Sequence, residues 1–506
     1  MSNLYSRLAA DFSADLDRVF AWLPDGRALH YADVEIQSAR YAHTLRDLGV
    51  GIGDRVAVQV EKSAEMLMLY LGCLRAGAVF LPLNPAYTIG ELEYFIGDAE
   101  PSLFVADPAV AEKIGAMQSA AGLVRVETLG AVGEGTLAAL AHQAPPRFET
   151  VARDEEDLAA ILYTSGTTGR SKGAMQSHGN LASNAYTLRD LWQFTADDVL
   201  LHALPIFHTH GLFVATNVTL ACGGAMIFLP RFEAGAVMAA LPRATVMMGV
   251  PTFYIRLLGE AGFGRDLVAH MRLFISGSAP LAPDVHREFE ARTGHAILER
   301  YGMTETNMNT SNPYHGDRIP GTVGLPLPGV DIRIADPATG RALPQGEVGV
   351  IEIRGPNVFQ GYWRQPEKTA AEFRDGYFIS GDLGRSDQRG YVSIVGRQKD
   401  LIIAGGFNVY PAEVEEAIGE LDAVKEVAVI GIPHPDLGEA VVAVIVPREP
   451  GYNDPMAITS VLADKLARFK QPRQILFAAE LPKNAMGKVQ KAELRNCHAA
   501  LFTETL

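Results

Sequence analysis

The feature that most constrains this chain is an apolar run at 158–162 that breaks into Thr164, Ser165, Gly166, Thr167, Thr168, Gly169, Arg170, Ser171, Lys172 and Gly173. The apolar run predicts a buried strand, and a stretch so rich in Gly, Ser and Thr cannot continue it, so a loop follows. Gly166, Gly169 and Gly173 let the backbone approach a ligand closely. The hydroxyls of Thr164, Ser165, Thr167 and Thr168 add donors, and Lys172 adds charge. These are the parts of a phosphate cradle. The Walker spacing is absent, which disfavours an ordinary P-loop NTPase. A solvated linker is the plainer alternative.

The rest of the chain narrows the class. With 506 residues, 48% hydrophobic and 20% charged, it reads as a globular protein with room for several domains. The formal net charge of −15 disfavours broad nucleic-acid binding, so any anionic ligand must be held by local groups. Cys73, Cys222 and Cys497 are too few and too scattered for a disulfide frame or a cysteine-built metal site. Asp11, Asp15 and Asp17 stand where a secretion signal would be uncharged, and Arg75 interrupts the apolar stretch 66–83. The expectation is a cytoplasmic protein that does not enter the membrane.

Helix and strand periodicities alternate along the first half. They predict helices at 31–48 and 63–76, strands at 55–60 and 78–83, and surface helices within 109–144. Past the loop come a helix from Asn180, strands at 199–204 and 225–229, a helix after His210, and strands near Val246 and Leu273. From about Gly321 the pattern turns to β-type alternation, at 330–334 and 348–353. The last hundred residues mix a helix at 412–421 with strands at 427–430 and 441–446. The expected fold is α/β. A large N-terminal domain, 1–398, combines parallel-type α/β sheets with a β-rich subdomain, and a small mobile α+β domain, 399–506, follows.

Five further stretches carry chemistry-bearing residues at the ends of predicted strands or in turns. They are Pro205-Ile206-Phe207-His208-Thr209-His210-Gly211, Ser276-Gly277-Ser278-Ala279-Pro280-Leu281, Tyr301-Gly302-Met303-Thr304-Glu305-Thr306, Gly376-Tyr377-Phe378-Ile379-Ser380-Gly381-Asp382 and Leu481-Pro482-Lys483-Asn484-Ala485-Met486-Gly487-Lys488. With these in view, the chain resembles the adenylate-forming acyl-CoA synthetase superfamily over nearly its whole length. Within it the resemblance is closest to malonyl-CoA and methylmalonyl-CoA synthetases, on the stretches 207–212, 250–256 and 299–311. Two departures are small: Arg170-Ser171 stands where a residue followed by Pro is commoner, and Ser380 where Thr is usual.

The resemblance implies a two-step ligase that uses ATP, Mg²⁺ and coenzyme A. A dicarboxylate attacks the α-phosphate of ATP, and the thiol of coenzyme A then displaces AMP. Lys488 is implied to bridge the attacking carboxylate and that phosphate, with Thr304 on the phosphate and His208 in the same catalytic group. Thr164, Ser165, Gly166, Thr167, Thr168, Gly169 and Lys172 would cradle phosphates. Tyr301 would stack on adenine, Asp382 would hold the ribose, Arg397 the ribose or a phosphate, and Glu305 the Mg²⁺. Arg256, Ser278 and Arg300 would hold the distal carboxylate, with Met303 and His210 on the rim. Lys399 would be the hinge, and Gly405 and Gly406 would serve the coenzyme A half-reaction. A lysine acyltransferase acting on Lys488 would be a regulatory partner.

Each residue has a plainer reading. Lys488 could be a surface lysine, Asp382 a turn aspartate, Thr304-Glu305 a helix start, Tyr301 a core aromatic, and Arg256 and Arg300 helix-surface or interdomain arginines. His208 and His210 invite zinc, but no third ligand has suitable spacing. The rival functions are a ligase for a short or medium monocarboxylate, a non-catalytic nucleotide switch, and the loading of a carrier protein in place of coenzyme A.

Overall fold

The computed structural model describes residues 2–111, 114, 125–164, 171–404, 407–484 and 487–502, with residue 464 described by its backbone alone. The strands within them form four sheets. A six-stranded sheet has the order Val126–Thr128, Leu103–Ala106, Arg55–Gln59, Val79–Pro82, Leu158–Thr164, Lys172–Ser177. All its pairings are parallel except the last, between Leu158–Thr164 and Lys172–Ser177. The stretch rich in Gly, Ser and Thr therefore lies in the chain between two antiparallel neighbours.

A nine-stranded sheet has a parallel centre, in the order Leu298–Met303, Leu273–Ser276, Val246–Gly249, Val199–His202, Ala225–Phe228, Val19–Trp22. Its short antiparallel edges are Ala28–His30 on one side and Asn307–Ser311 with Leu325–Pro326 on the other. Apart from Leu298–Met303, which carries Glu299 and Arg300, the parallel strands are largely apolar because both faces are covered. Their carboxyl ends lie side by side, so the loops after His202, Gly249 and Ser276 open on one edge, where open α/β sheets bind ligands.

The apolar stretch at 66–83 forms the helix Ala64–Ala76, a turn and the strand Val79–Pro82. Ser63 accepts from the Met66 backbone N–H at 3.2 Å and starts the helix, and Gly77, at φ 75°, ends it. The helix is buried on nearly every side, which is why it lacks an amphipathic pattern. At Gly72 it meets the helix Tyr31–Asp47 so closely that a Cβ would lie 2.7 Å from that of Tyr41. Among the described residues no helix is long and apolar enough to cross a membrane.

A third, antiparallel sheet joins Asp331–Ala335, Gly349–Arg354, Tyr377–Ser386, Phe373–Arg374 and Val392–Arg397. The fourth contains Ile402–Ala404, Phe407–Val409, Val424–His434, Gly438–Pro447 and Gln474–Phe477, flanked by the helix Pro411–Gly419 and two others. Its apolar clusters draw only on residues beyond 401.

Three local expectations differ. The segment after His210 opens as a wide π-type turn, His210–Thr216, before an α-helix at Asn217–Cys222. Thr304-Glu305 starts no helix but tops the hairpin between Leu298–Met303 and Asn307–Ser311, with Asn307 at φ 49°. Within 109–144 the described residues include an edge strand, Val126–Thr128, besides the helix Thr136–Gln143.

Candidate active site

A cavity of about 630 Å³ opens at the carboxyl edge of the nine-stranded sheet, walled by the third sheet and roofed by the loop that carries Lys488. Thr164, Lys172, His208, His210, Ser278, Arg300, Met303, Thr304, Glu305, Arg397, Lys399 and Lys488 all line it. Residues drawn from more than 300 positions of sequence thus meet in one cleft. Ser165, Gly166, Thr167, Thr168, Gly169, Gly405 and Gly406 lie outside the described residues.

One end of the cleft is built around Arg300. The side chain leaves the strand Leu298–Met303, is only 3% exposed, and its Nε and Nη2 have no hydrogen-bond partner. Burial pushes its pKa down to about 9. Room for the guanidinium exists because residue 277 is Gly: a Cβ there would lie 2.6 Å from the Arg300 Nε. Ser278, next in the chain, sits at φ 70°, a conformation that costs energy in a non-glycine residue and recurs at ligand sites. Its hydroxyl lies 3.2 Å from His210 Nδ1.

The buried His210 Nε2 and Thr209 Oγ1 also lack partners. Burial, then the charges of Lys488 and Arg300, hold His208 down to about 3, and burial with Arg300 holds His210 well below the usual histidine range. Both rings are therefore neutral near pH 7. A desolvated guanidinium with unpaired donors and neutral imidazoles beside it is a site prepared for an anion.

Arg256 is not part of it. On the helix Pro251–Leu258 the core positions are Pro251, Tyr254, Leu257 and Leu258, which leaves Arg256 exposed with its guanidinium 6.0 Å from the Phe232 ring centre. The expectation that Arg256 holds the distal carboxylate does not match this arrangement.

The other end is an acid–base mesh. Asp382, 4% exposed, accepts from the Tyr301 hydroxyl at 2.6 Å and pairs with Arg397 Nε at 2.9 Å. Its carboxylate raises the Arg397 pKa. Tyr301 is 7% exposed and stands behind the cleft lining. The Ser380 hydroxyl donates to the Ile351 carbonyl and accepts from the Asp382 N–H, so the departure from Thr keeps the polar contact. Glu305 is buried, which raises its pKa, and it accepts from the Tyr362 hydroxyl at 3.0 Å. Lys172 pairs with Glu372 at 2.9 Å and lies 4.0 Å from the Tyr362 ring centre. Gln176 donates to the Thr304 carbonyl at 2.6 Å and steadies the hairpin tip.

Gly277, Gln176, Tyr362 and Glu372 were not singled out by the sequence. Gly277 stood inside a quoted stretch, whereas the others carry no motif that marks them. Among the described residues no three His, Cys, Asp or Glu side chains form a metal cluster.

Lys488 stands in the cleft, reached by water along its length but enclosed by its walls. That enclosure, then the charge of Arg397, pushes its pKa down to about 8. Its loop is closed by Asn484, whose side chain accepts from the Lys488 N–H at 3.0 Å. The loop rests on the nine-stranded sheet's side of the cleft, where a Cβ on Gly487 would lie 3.6 Å from Thr252 Cγ2.

An anion-binding end, a polar end and a lysine between them suit an enzyme that activates a carboxylate with a nucleotide. The chain belongs to the AMP-binding enzyme family: residues 10–363 match that family and residues 413–488 match the AMP-binding enzyme C-terminal domain. It is 37% identical to a feruloyl-CoA synthase of Amycolatopsis sp, over 93% of this chain and 94% of the relative. It is 35% identical to a malonate–CoA ligase of Arabidopsis thaliana, over 88% of this chain and 78% of the relative. The crystal structure of ATP-bound MatB from Rhodopseudomonas palustris superimposes with a TM-score of 0.97 at 55% identity, covering 99% of both chains. The apo form of that protein gives 0.85. The chain is thus an acid–CoA ligase that works through an acyl-adenylate, with ATP and coenzyme A as co-substrates.

Proposed function

We propose that the acid is a short dicarboxylate, malonate or methylmalonate, and that the product is its coenzyme A thioester. The observation that carries this is Arg300, buried beside the acyl end of the cleft with two unpartnered nitrogens. A second carboxylate would satisfy it, whereas acetate would leave a desolvated charge unpaired at a cost of about 2–5 kcal/mol. The likeness to a malonate–CoA ligase and to MatB supports the same reading.

In this scheme Arg300 and Ser278 bind the distal carboxylate, and His208, His210 and Met303 shape the acyl wall. Lys488, charged, draws the near carboxylate and the α-phosphate together and offsets the charge of both. Thr304 donates to that phosphate. Thr164, Lys172 and the loop between them cradle the others, while Asp382 and Arg397 hold the ribose. Glu305 fits a Mg²⁺ site, since its buried carboxylate opens on the cleft and phosphate oxygens would complete a hard-ion shell. When bound, the ion neutralises charge on the departing pyrophosphate. The C-terminal domain, from Lys399 onward, then rotates and exchanges Lys488 for the loop at Gly405 and Gly406, so that coenzyme A displaces AMP.

A ligase for a monocarboxylate is the second reading, favoured by the exposure of Arg256 and by the feruloyl-CoA synthase among the relatives. Pyrophosphate exchange across malonate, methylmalonate and acetate separates the two. Exchange with malonate should exceed that with acetate about 100-fold, and Arg300→Met should remove most of the difference. Equal rates with malonate and acetate in the unaltered enzyme overturn the dicarboxylate reading.

A further inference from the structure

Behind the acyl wall sits a lysine that no carboxylate among the described residues pairs with. Lys62 follows the strand Arg55–Gln59 of the six-stranded sheet and reaches the carboxyl edge of the nine-stranded one. Its ammonium lies 2.7 Å from the Leu229 carbonyl, 2.9 Å from the His202 carbonyl and 3.1 Å from His202 Nδ1. The Phe228 ring centre is 4.3 Å away. His202 is fully buried, and its Nε2 lies 2.9 Å from the Gly211 carbonyl oxygen.

The proton positions follow from what each partner can do. A carbonyl oxygen only accepts, so His202 Nε2 carries a proton. Burial, then the charge of Lys62, lowers the His202 pKa far enough to keep the ring neutral, which leaves Nδ1 bare. Lys62 must then donate to Nδ1 and to both carbonyls, which uses all of an ammonium's protons. Burial pulls the Lys62 pKa well below the usual lysine range, and the three acceptors give each proton of the charged form a partner.

The Gly211 carbonyl also accepts from Thr216 Oγ1 at 3.0 Å. Gly211 lies in the wide turn His210–Thr216, packed so tightly that a Cβ would overlap the Pro205 carbonyl. Wide turns of this kind are rare and recur at functional sites. Side-chain donors on this carbonyl hold the turn open. His210, the residue before Gly211, meets Ser278 through Nδ1 and has its buried Nε2 unpartnered beside the cleft.

We propose that Lys62 is a positioning residue for the acid substrate: through His202 it pins the Gly211 carbonyl, and with it the turn that aims His210 at the acyl end of the cleft. This rests on the reading that the Arg300 end of the cleft receives the acid, but not on which acid it is.

The test uses the full-length Lys62→Met variant, which keeps an unbranched apolar stem as far as Cε and deletes the donors, with whichever acid the unaltered enzyme adenylates fastest. The KM for that acid should rise about tenfold or more while the KM for ATP stays within about twofold. Histidine-selective ¹⁵N spectra of the unaltered enzyme should show His202 protonated on Nε2 alone. An unchanged acid KM, a parallel rise in both KM values, or a proton on Nδ1 overturns the proposal. Should Lys62→Met fail to fold, Thr216→Val removes the weaker donor and should raise the acid KM about threefold; no rise in that folded variant also overturns it. The acid panel on the unaltered enzyme separates a wrong substrate from a wrong role for Lys62.

Discussion

At the scale of single residues, the acyl end depends on a side chain that is missing. Gly277 leaves the space in which the Arg300 guanidinium lies. Gly277→Ala puts a methyl group there, so the rigid planar group must shift, and on the proposed dicarboxylate reading it leaves the place where it would meet the acid. The malonate KM of that variant should rise about 10- to 100-fold, with the KM for ATP within about twofold. A malonate KM like that of the unaltered enzyme would detach Arg300 from the acid. Lys488 gives a second residue-scale outcome through pH. On the proposed mechanism its ammonium is the active form, and its pKa is pushed down to about 8. In the free enzyme the proton is therefore lost as pH rises past that point, and kcat/KM for adenylation falls with it. Water reaching the side chain weakens the shift, so the descending limb lies at or somewhat above about pH 8. Lys488→Arg keeps the charge and should remove the limb. A flat profile for the unaltered enzyme from about pH 7 to about pH 10 would show that the lysine's charge is not required.

At the scale of elements, what the sequence revealed tracks what period and composition can encode. The strand Leu158–Thr164 was legible because a continuous apolar run stops at a cluster of Gly, Ser and Thr. The paired helices Tyr31–Asp47 and Ala64–Ala76 fall within a residue of the expected 31–48 and 63–76. The turn His210–Thr216 was not, because its wide backbone has no side-chain period of its own; the polar Thr216 and Asn217 inside an apolar stretch were the available signals. The hairpin tip at Thr304-Glu305 was hidden because Asn307 adopts a left-handed backbone that asparagine tolerates and composition does not announce. The strand Val19–Trp22 and the edge strand Ala28–His30 are too short for alternation to show. Arg256 shows the opposite failure. Motif likeness put it in the site, whereas the burial of 251, 254, 257 and 258 would have put it outside. The pairing of Lys172 with Glu372 across 200 residues, and the convergence of Lys62 on His202, are tertiary facts that no local pattern carries.

At the scale of the whole molecule, the two half-reactions ask one cleft to present different groups in turn. In this arrangement the Lys488 loop rests against Thr252 and its ammonium shares the cleft with Arg300 and Arg397, which suits attack on the α-phosphate. On the proposed scheme this loop moves aside before coenzyme A reacts, and the fourth sheet, which has its own apolar core, would turn as a body. The short helical turn Gln398–Asp400 is where the chain passes into that sheet. Lys399→Pro fixes φ near −65°, a value such a turn already uses, so the arrangement seen here should survive while the backbone change needed for rotation becomes costly. Pyrophosphate exchange should stay within about threefold of the unaltered enzyme, and thioester formation from isolated acyl-adenylate should fall about 100-fold or more. Equal loss of both would mean that proline damages the cleft and says nothing of rotation. Retention of both would place the pivot elsewhere, and because both half-reactions are measured on one variant, each serves as the folding control for the other.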